Sequence, residues 1–296
     1  VAAARSLNPL VREFRLVAAD GRALPGFTAG AHLRVRISLP DGREDWRHYS
    51  LIDFSTAARA TEAPLEYRIA VRREAEGRGG SKYMHDVVQT GDTLVVETPK
   101  NEFPLRASDD SAVLIAGGIG ITPLVSMAAH RRATGLPVRL HYAGRSAELM
   151  AYVRELRDLL ADDLEVHCDE KAGHPLDVDA VLDRCQPQSH IYVCGPKALL
   201  DAVLSKTLAR GWNQERIHFE LFSTPAPTAG DRPIEVVLAR SALTLTVPAG
   251  ETILDCLIEH GCDPLYECRR GECGVCAIGV IEGEVDHRDY VLSEAD

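Results

Sequence analysis

The stretch Cys268-Arg269-Arg270-Gly271-Glu272-Cys273-Gly274-Val275-Cys276 sets three thiols at C-x₄-C-x₂-C spacing, with two glycines between them. That is the leading part of the plant-type ligand pattern for a [2Fe–2S] cluster, whose two irons take four thiolates. A tight loop is needed to bring three of them together. Gly271 and Gly274 let backbone N–H groups turn inward where a Cβ would crowd the turn. Two other readings compete. A zinc site of the paired-cysteine kind needs a second C-x₂-C element, and this stretch has no partner for its own. Buried structural cysteine is the other, because a free thiol packs as a small hydrophobe. The cluster reading matches best, with Cys268, Cys273 and Cys276 as its metal ligands. The pattern places a fourth cysteine downstream, and the 20 residues after Cys276 hold none. Cys262 lies upstream of the loop and does not fit that place. The chain begins at Val1 rather than Met. Both ends are therefore expected to be trimmed, with the last strand of the cluster domain cut off.

At 296 residues the chain predicts two or three domains rather than one small one. An apolar content of 45% suits ordinary globular cores. The net charge of −11 argues against nucleic-acid binding, because phosphate repels such a surface. There is no run of 18 apolar residues, so no membrane span is expected, and no signal peptide is visible. Eight cysteines, three of them in metal spacing, suit a reducing cytoplasm better than a disulfide scaffold.

Residues 1–105 read as an antiparallel barrel of short strands: 11–18, 33–38, 65–71 and 93–98. Turns at Asp20-Gly21, Pro40-Asp41-Gly42 and Gly91-Asp92 punctuate them. A helix is expected over 81–88 with Ser81 as its N-cap. Strand alternation puts Arg47 and Tyr49 on one face and His48 and Ser50 on the other. An arginine two residues from a tyrosine can hold a phosphate while the ring stacks on a flat cofactor, although many such strands are only strands. Gly77-Arg78-Gly79-Gly80-Ser81 leads into the helix and offers free backbone N–H groups to an anion; its plainer reading is a loop.

Residues 106–228 alternate strand and helix, which predicts an open parallel sheet covered on both faces. Strands are expected at 113–116, 138–143, 164–168 and 190–194, with helices at 124–133, 151–160, 178–185 and 197–210. The first strand ends in Gly117-Gly118-Ile119-Gly120-Ile121-Thr122-Pro123. Strand, glycine turn and helix form a dinucleotide-type phosphate cradle, although the G-x-G-x-x-G fingerprint fails. Ligands in such sheets bind beyond the carboxyl ends of the strands, where Cys194-Gly195-Pro196 also lies. Residues 223–232 read as a Pro/Ala/Thr linker. Residues 229–296 then predict a small α+β β-grasp: a hairpin at 234–238 and 243–247, a helix at 252–260 capped by Gly261, the cysteine loop, and a strand at 277–282.

Arg47-x-Tyr49-Ser50-Leu51, Gly79-Gly80-Ser81, Gly117–Pro123, Cys194-Gly195-Pro196 and the three C-terminal cysteines occur in one order. That order resembles the phthalate dioxygenase reductase family of the ferredoxin–NADP⁺ reductase superfamily, which includes vanillate demethylase reductases and the reductase tails of self-sufficient P450s. The resemblance covers the whole chain. It implies a multidomain protein, with an FMN barrel at 1–105, an NAD(P) domain at 106–228 and a [2Fe–2S] ferredoxin-like domain at 229–296. Arg47, Tyr49, Ser50 and Val71 would line the flavin, and Gly79, Gly80 and Ser81 would take its phosphate. FAD is the alternative, but nothing evident would hold an adenosine there. Gly117, Gly118, Gly120 and Thr122 would approach the nicotinamide nucleotide, with Thr122 near the flavin edge. Cys194, followed by Gly195 and Pro196, would sit by the nicotinamide ring, though a strand-end core cysteine is the plainer reading. Glu220 and Phe222 match the family's acid and aromatic near the flavin; an amphipathic strand would show the same alternation. Arg145 and Ser146 would meet the adenosine. NADH is expected as the coenzyme, with NADPH open because an arginine can pair with a 2′-phosphate.

The activity implied is electron transfer from NADH through FMN and the cluster to a terminal oxygenase, a Rieske non-haem iron enzyme or a P450, in trans or fused. Thr122, Cys194 and Glu220 are the expected catalytic group. A monomer in the cytoplasm is expected. Electron transfer also accounts for the lack of a Ser-His-Asp or H-E-x-x-H arrangement, and carboxylate runs such as Asp162-Asp163 read as solvated faces. Two rivals remain: a plain ferredoxin-like carrier, opposed by the nucleotide cradle, and a flavin reductase without a cluster, opposed by the cysteine loop.

Overall fold

The computed structural model describes residues 1–39, 41–57, 61–75, 77, 79–107, 110–186, 188–222, 230–286 and 288–292. Pro40 of the expected turn, Arg78 of the glycine-rich loop and residues 223–229 of the expected linker lie outside them. Strands β1 (Ala3–Asn8), β2 (Val11–Leu16), β3 (His32–Ser38), β4 (Glu44–Ser50) and β5 (Tyr67–Arg72) form two antiparallel sheets, β1-β2-β5 and β3-β4. Alternation explains them. In β3, Leu33, Val35 and Ile37 are buried and Arg36 and Ser38 exposed, so one face meets the core and the other water. Beyond β4, the Leu51 amide donates to the Ala31 carbonyl and extends the pairing with β3, and the Ile52 amide donates to the Arg68 carbonyl and stitches the end of β4 to the neighbouring sheet. Phe14, Leu33, Val35, Leu51, Ile69 and Val71 fill the barrel interior, against helix α1 (Gly80–Asp86) through Met84. Two expectations fail here. Residues 93–98 pair with β3 at the single bridge Val35 to Val96, and Glu97 also ion-pairs with Arg34 at 3.0 Å, but they form no strand. Ser81 does not cap α1: Gly79 holds the N-cap with φ 85°, and Ser81 Oγ instead accepts the Glu74 amide at 3.0 Å.

The next elements are β6 (Ala112–Gly117), α2 (Ile121–Ala133), β7 (Val138–Gly144), α3 (Val153–Leu160), β8 (Leu164–Cys168), α4 (Asp169–Ala172), α5 (Val178–Leu182), β9 (His190–Cys194), α6 (Lys197–Ala209) and β10 (Ile217–Glu220). All five strands run parallel in the order β10-β9-β6-β7-β8. β6 is buried along its whole length, as its unbroken apolar run requires of a central parallel strand. Helix α2 begins at Ile121, three residues earlier than expected, and still carries Pro123 in its first turn, where a missing N–H costs nothing.

The described chain forms two compact units, Val1–Glu220 and Leu221–Asp296. The barrel and the parallel sheet stay together because one hydrophobic cluster spans them: Val11, Ile52, Ala70 and Phe103 pack with Leu114, Ile121, Leu124, Tyr142 and Tyr192. In the second unit, β11 (Ile234–Leu238) and β12 (Leu243–Val247) make the hairpin and α7 (Ile253–Glu259) the helix. Thr252 caps α7 by accepting the Asp255 amide at 2.9 Å, and Gly261, with φ 76°, ends it. Leu245, Val247, Cys256 and Leu257 are its buried core. Residues 277–282, expected as a strand, have no regular structure. Among the described residues no helix is long and apolar enough to cross a membrane.

Candidate functional site

β4 carries Arg47, Tyr49 and Ser50 opposite Val35, Leu33 and His32 of β3. Ser50 is buried and its Oγ has no hydrogen-bond partner. Burial pushes the Tyr49 phenol above its ordinary range. Arg47 Nη1 donates to Asp45 Oδ2 at 2.5 Å and to the Trp46 carbonyl at 2.9 Å. Gly80 lies directly against this side chain: a Cβ there would stand 2.8 Å from Arg47 Nε and 2.9 Å from Ile37 Cδ1. The arginine and the Gly79-Gly80-Ser81 turn therefore form one locus. Its far side is fixed by Arg12, whose Nη1 donates to the carbonyls of Met84 at 3.2 Å and of His85 and Val88 at 2.8 Å. Such a cation satisfies the orphan acceptors at the end of α1. Val71 lies buried in the same barrel, its carbonyl 2.8 Å from His85 Nε2. A cationic arginine beside a glycine turn, with an unpartnered buried hydroxyl further along the strand, fits a flat cofactor ending in phosphate.

The second locus lies at the carboxyl ends of β6 and β9. A Cβ on Gly120 would stand 2.2 Å from the Cys194 carbonyl oxygen, and one on Gly117 would stand 2.6 Å from Pro196 Cδ. Gly195 backs onto Gly117, where a Cβ would meet its Cα at 2.9 Å. Three glycines thus let two turns touch backbone to backbone. Gly118 has φ 55° and open space where a side chain would be. Thr122 is buried and donates to the Ile119 carbonyl at 3.0 Å, which closes the turn. Glu220 is buried and stands in register with Cys194 across the β9–β10 pairing. Arg145 and Ser146 follow β7 at the same end of the sheet; Arg145 is exposed and its carbonyl accepts the Glu170 amide at 3.0 Å. Phe222 lies past Glu220, 39% exposed.

One connection between these loci was not anticipated. Ser126 Oγ donates to the Leu51 carbonyl at 2.7 Å and accepts the Asp53 amide at 2.9 Å. It thereby joins the end of the Arg47–Ser50 strand to the helix that opens on the glycine turn. Its four-residue spacing from Thr122 puts both on one face of α2, the available sequence signal for it. Asp169 and Glu170, at the end of β8 beside Arg145, were likewise missed, because only the sheet order brings them there.

In the second unit, the cysteine loop is shaped by left-handed residues: Arg269 at φ 56°, Gly271 at 78° and Gly274 at 73°. Cys268 Sγ accepts the Arg270 amide at 3.4 Å. Burial alone would raise this thiol, but amides of Arg270 and Glu272 and a hydrogen bond with Cys273 outweigh it and hold it below the ordinary thiol range. Burial dominates at Cys273 and raises it. Cys268 and Cys273 are thus in contact, while no group of three His, Cys, Asp or Glu side chains converges on a metal position among the described residues. Cys262 packs against the hairpin–helix core instead. Glu272 braces the loop, accepting the Leu221 amide at 2.8 Å and pairing with Arg270 at 2.6 Å. A thiolate cradled by backbone amides is the donor chemistry that an iron–sulfur loop supplies.

The chain is 42% identical over 285 residues to the phthalate 4,5-dioxygenase oxygenase reductase subunit of Pseudomonas putida, covering 95% of this chain and 84% of that one. It belongs to the phthalate dioxygenase reductase family. A solved phthalate dioxygenase reductase, described as a modular structure for electron transfer from pyridine nucleotides to [2Fe–2S], matches with a TM-score of 0.77 and 36% identity, over 100% of this chain and 89% of that one. Full-length CYP116B46 from Tepidiphilus thermophilus matches at a TM-score of 0.72 and 36% identity, over 100% of this chain and 38% of that protein. Residues 114–205 match the oxidoreductase NAD-binding domain and residues 236–296 the 2Fe-2S iron–sulfur cluster binding domain. As a member of the phthalate dioxygenase reductase family, the protein is an NAD-dependent oxidoreductase that serves as the reductase component of an oxygenase system.

Proposed function

We propose that the protein takes electrons from NADH through FMN to a [2Fe–2S] cluster and delivers them to a terminal oxygenase, either a Rieske non-haem iron enzyme or a P450. In this reading residues 1–105 hold the flavin, 106–228 the coenzyme and 229–296 the cluster. The bound groups supply hydride transfer and one-electron release; the protein supplies distance, orientation and dryness. Arg47, Gly79, Gly80 and Ser81 hold the flavin phosphate. Tyr49, Ser50 and Val71 bound its ring, and Ser50 Oγ donates to it. Gly117, Gly118, Gly120, Gly195 and Pro196 let the coenzyme backbone approach the sheet, with Thr122, Cys194 and Glu220 around the nicotinamide. Cys268, Cys273 and Cys276 ligate iron. The observation that carries this reading is the Ser126 joint, which ties the flavin strand and the coenzyme turn into one hydrogen-bonded frame.

Asp169 and Glu170 beside Arg145 support NADH over NADPH, because their charge opposes a 2′-phosphate. The eight free cysteines support a reducing, cytoplasmic setting, and we take the working protein as a monomer. The test is chemical and kinetic. Purified full-length protein should be yellow, release FMN on denaturation, contain iron and acid-labile sulfide, and reduce ferricyanide with NADH well ahead of NADPH. A colourless protein, release of FAD, or preference for NADPH would each refute the corresponding part.

A further inference from the structure

β7 ends at Gly144, and the chain then crosses to the barrel before α3 begins. Arg145 and Ser146 open the crossing, and a 3₁₀ turn at Ala147–Leu149 continues it. Two hydrogen bonds catch it on the barrel. Asn8, at the end of β1, donates Nδ2 to the Leu149 carbonyl at 3.1 Å. Tyr152 donates Oη to Glu13 Oε2 at 2.8 Å. Both partners are unusual for their places. Glu13 is 1% exposed and puts a carboxylate where β2 would otherwise bury an apolar side chain. Tyr152 is buried with φ 64°, a left-handed backbone that persists where the surroundings fix it. Its ring lies 5.3 Å from Phe54, four residues beyond Ser50, and Phe54 lies under the Arg68 guanidinium at 5.8 Å. Arg5 Nε holds the other Glu13 oxygen, Oε1, at 2.8 Å with Arg15 Nε at 3.6 Å, and Arg68 Nε lies 3.9 Å from Oε2. Burial alone would raise this carboxyl, but the bonds from Arg5 and Tyr152 outweigh it and keep it ionised.

A buried carboxylate is costly unless paired, and an apolar residue of similar size would serve strand packing as well. What the carboxylate adds is a fixed anchor on the barrel for one side chain of the crossing. We propose that Glu13 and Tyr152 are positioning residues, which hold the Arg145–Ser146 turn at a set offset from the flavin strand and so fix where the adenosine end of the coenzyme is bound. This rests on the reading of Arg145 and Ser146 as the adenosine contact.

The test compares Tyr152→Phe, Glu13→Gln and Asn8→Asp in the flavin-loaded full chain. Asn8→Asp removes the donor to Leu149 but keeps the Oδ1 that accepts the Leu10 and Val11 amides. Three quantities are read: the Kd for ADP-ribose by calorimetry, KM against kcat for NADH with ferricyanide, and the flavin absorbance. Tyr152→Phe should weaken ADP-ribose and raise the KM for NADH by the same factor, roughly threefold to tenfold for one buried hydrogen bond. Its kcat and flavin spectrum should stay those of the parent. Glu13→Gln keeps an acceptor for Tyr152 and should lose less, as should Asn8→Asp. A Tyr152→Phe protein that melts earlier yet binds ADP-ribose like the parent would overturn the assignment in favour of a purely structural bond. Equal loss of affinity for reduced nicotinamide mononucleotide would do the same, as general damage. A parent that turns over NADH but binds no ADP-ribose would refute the adenosine reading first, and the positioning role with it.

Discussion

The two compact units are built on different terms. Residues 1–220 hold 28 basic and 30 acidic side chains, whereas residues 221–296 hold 5 and 14, so most of the net charge of −11 sits on the smaller unit. The larger unit encloses side chains as big as Tyr142, Tyr192 and Phe14. The smaller one buries Leu245, Val247, Cys256 and Leu257 and leaves Leu265 81% and Ile281 86% exposed. On the proposed reading the first unit holds two flat molecules in fixed register, which packing does well. The second needs to present a redox centre to another protein, which calls for charge and surface. Its order depends on a loop of left-handed residues and three thiols rather than on a broad core, so ligation and folding should be linked there.

The largest expected effect separates the units outright. Cys273→Ser should abolish NADH-dependent cytochrome c reduction, which needs the cluster, while ferricyanide reduction from the flavin side persists near the parent rate. In calorimetry the same change should lower the transition of residues 221–296 and leave that of residues 1–220 in place. Loss of both activities together would mean that the two units are not separable. Gly120→Ala is the converse experiment. Its Cβ would stand 2.2 Å from a backbone oxygen of Cys194, which cannot swing aside as a side-chain end can. Overpacking of this kind costs about 1–3 kcal/mol. NADH–ferricyanide turnover should fall by at least about tenfold, because the same displacement opens the coenzyme turn. Gly279→Ala, with open space around it, is the control in the smaller unit and should change neither.

The charge partition gives a gentler test. Delivery of electrons from the acidic unit to the oxygenase should slow several-fold as ionic strength rises from about 0.01 to 0.5 M, because screening shortens the steering field. Reduction of the protein by NADH in a single turnover should change far less, since the larger unit is nearly neutral. Equal salt dependence of both steps would remove the charge asymmetry as a factor in partner encounter.

The same contrast governs what could be read from the sequence. Four of the five parallel strands were legible because strand and helix signals alternate along residues 106–210, and β6 and β9 are apolar runs that end in a glycine turn and a helix, all local signals. The contacts Gly117 to Pro196 and Gly120 to Cys194 follow once the sheet order is known, since both motifs end adjacent strands. The Glu13–Tyr152 bond was not legible: it joins residues 139 apart, and a glutamate within an apolar strand ordinarily marks a solvent face. Ser81 was misassigned because two glycines precede it, and the one with φ 85° starts the helix without any side-chain cap. The 93–98 segment has β-branched residues at strand spacing, but its backbone pairing with β3 goes no further than the Val35–Val96 bridge and the two hydrogen bonds beside it. Pattern cannot tell such a segment from a paired strand. In the smaller unit, hairpin and helix were legible from alternation and capping, while 277–282 has strand-like composition without a pairing partner among the described residues.

The smallest effect concerns acid. On β10 and β9, His218 Nε2 lies 2.9 Å from His190 Nδ1, and the His218 ring stacks on Tyr192 at 4.6 Å. One ring nitrogen must donate and the other accept, so the pair is at its best neutral. Burial, then His190 and Arg106, lower His218 from 6.5 to about 4, and burial lowers His141 to about 4 as well. Between those two pH values the unfolded chain takes up protons that the folded chain refuses. The stability they contribute is therefore complete above pH 6.5 and is lost as pH falls toward 4. The transition of residues 1–220 should drop across that window, and His218→Gln should flatten the drop by on the order of 2–4 °C, a small figure because the ring is only half-buried. If the slope of that transition against pH is the same in parent and variant, the histidine pair is not what makes the larger unit acid-sensitive. The search would then move to His141, which lies 3.4 Å from Glu165 on the far side of the same sheet.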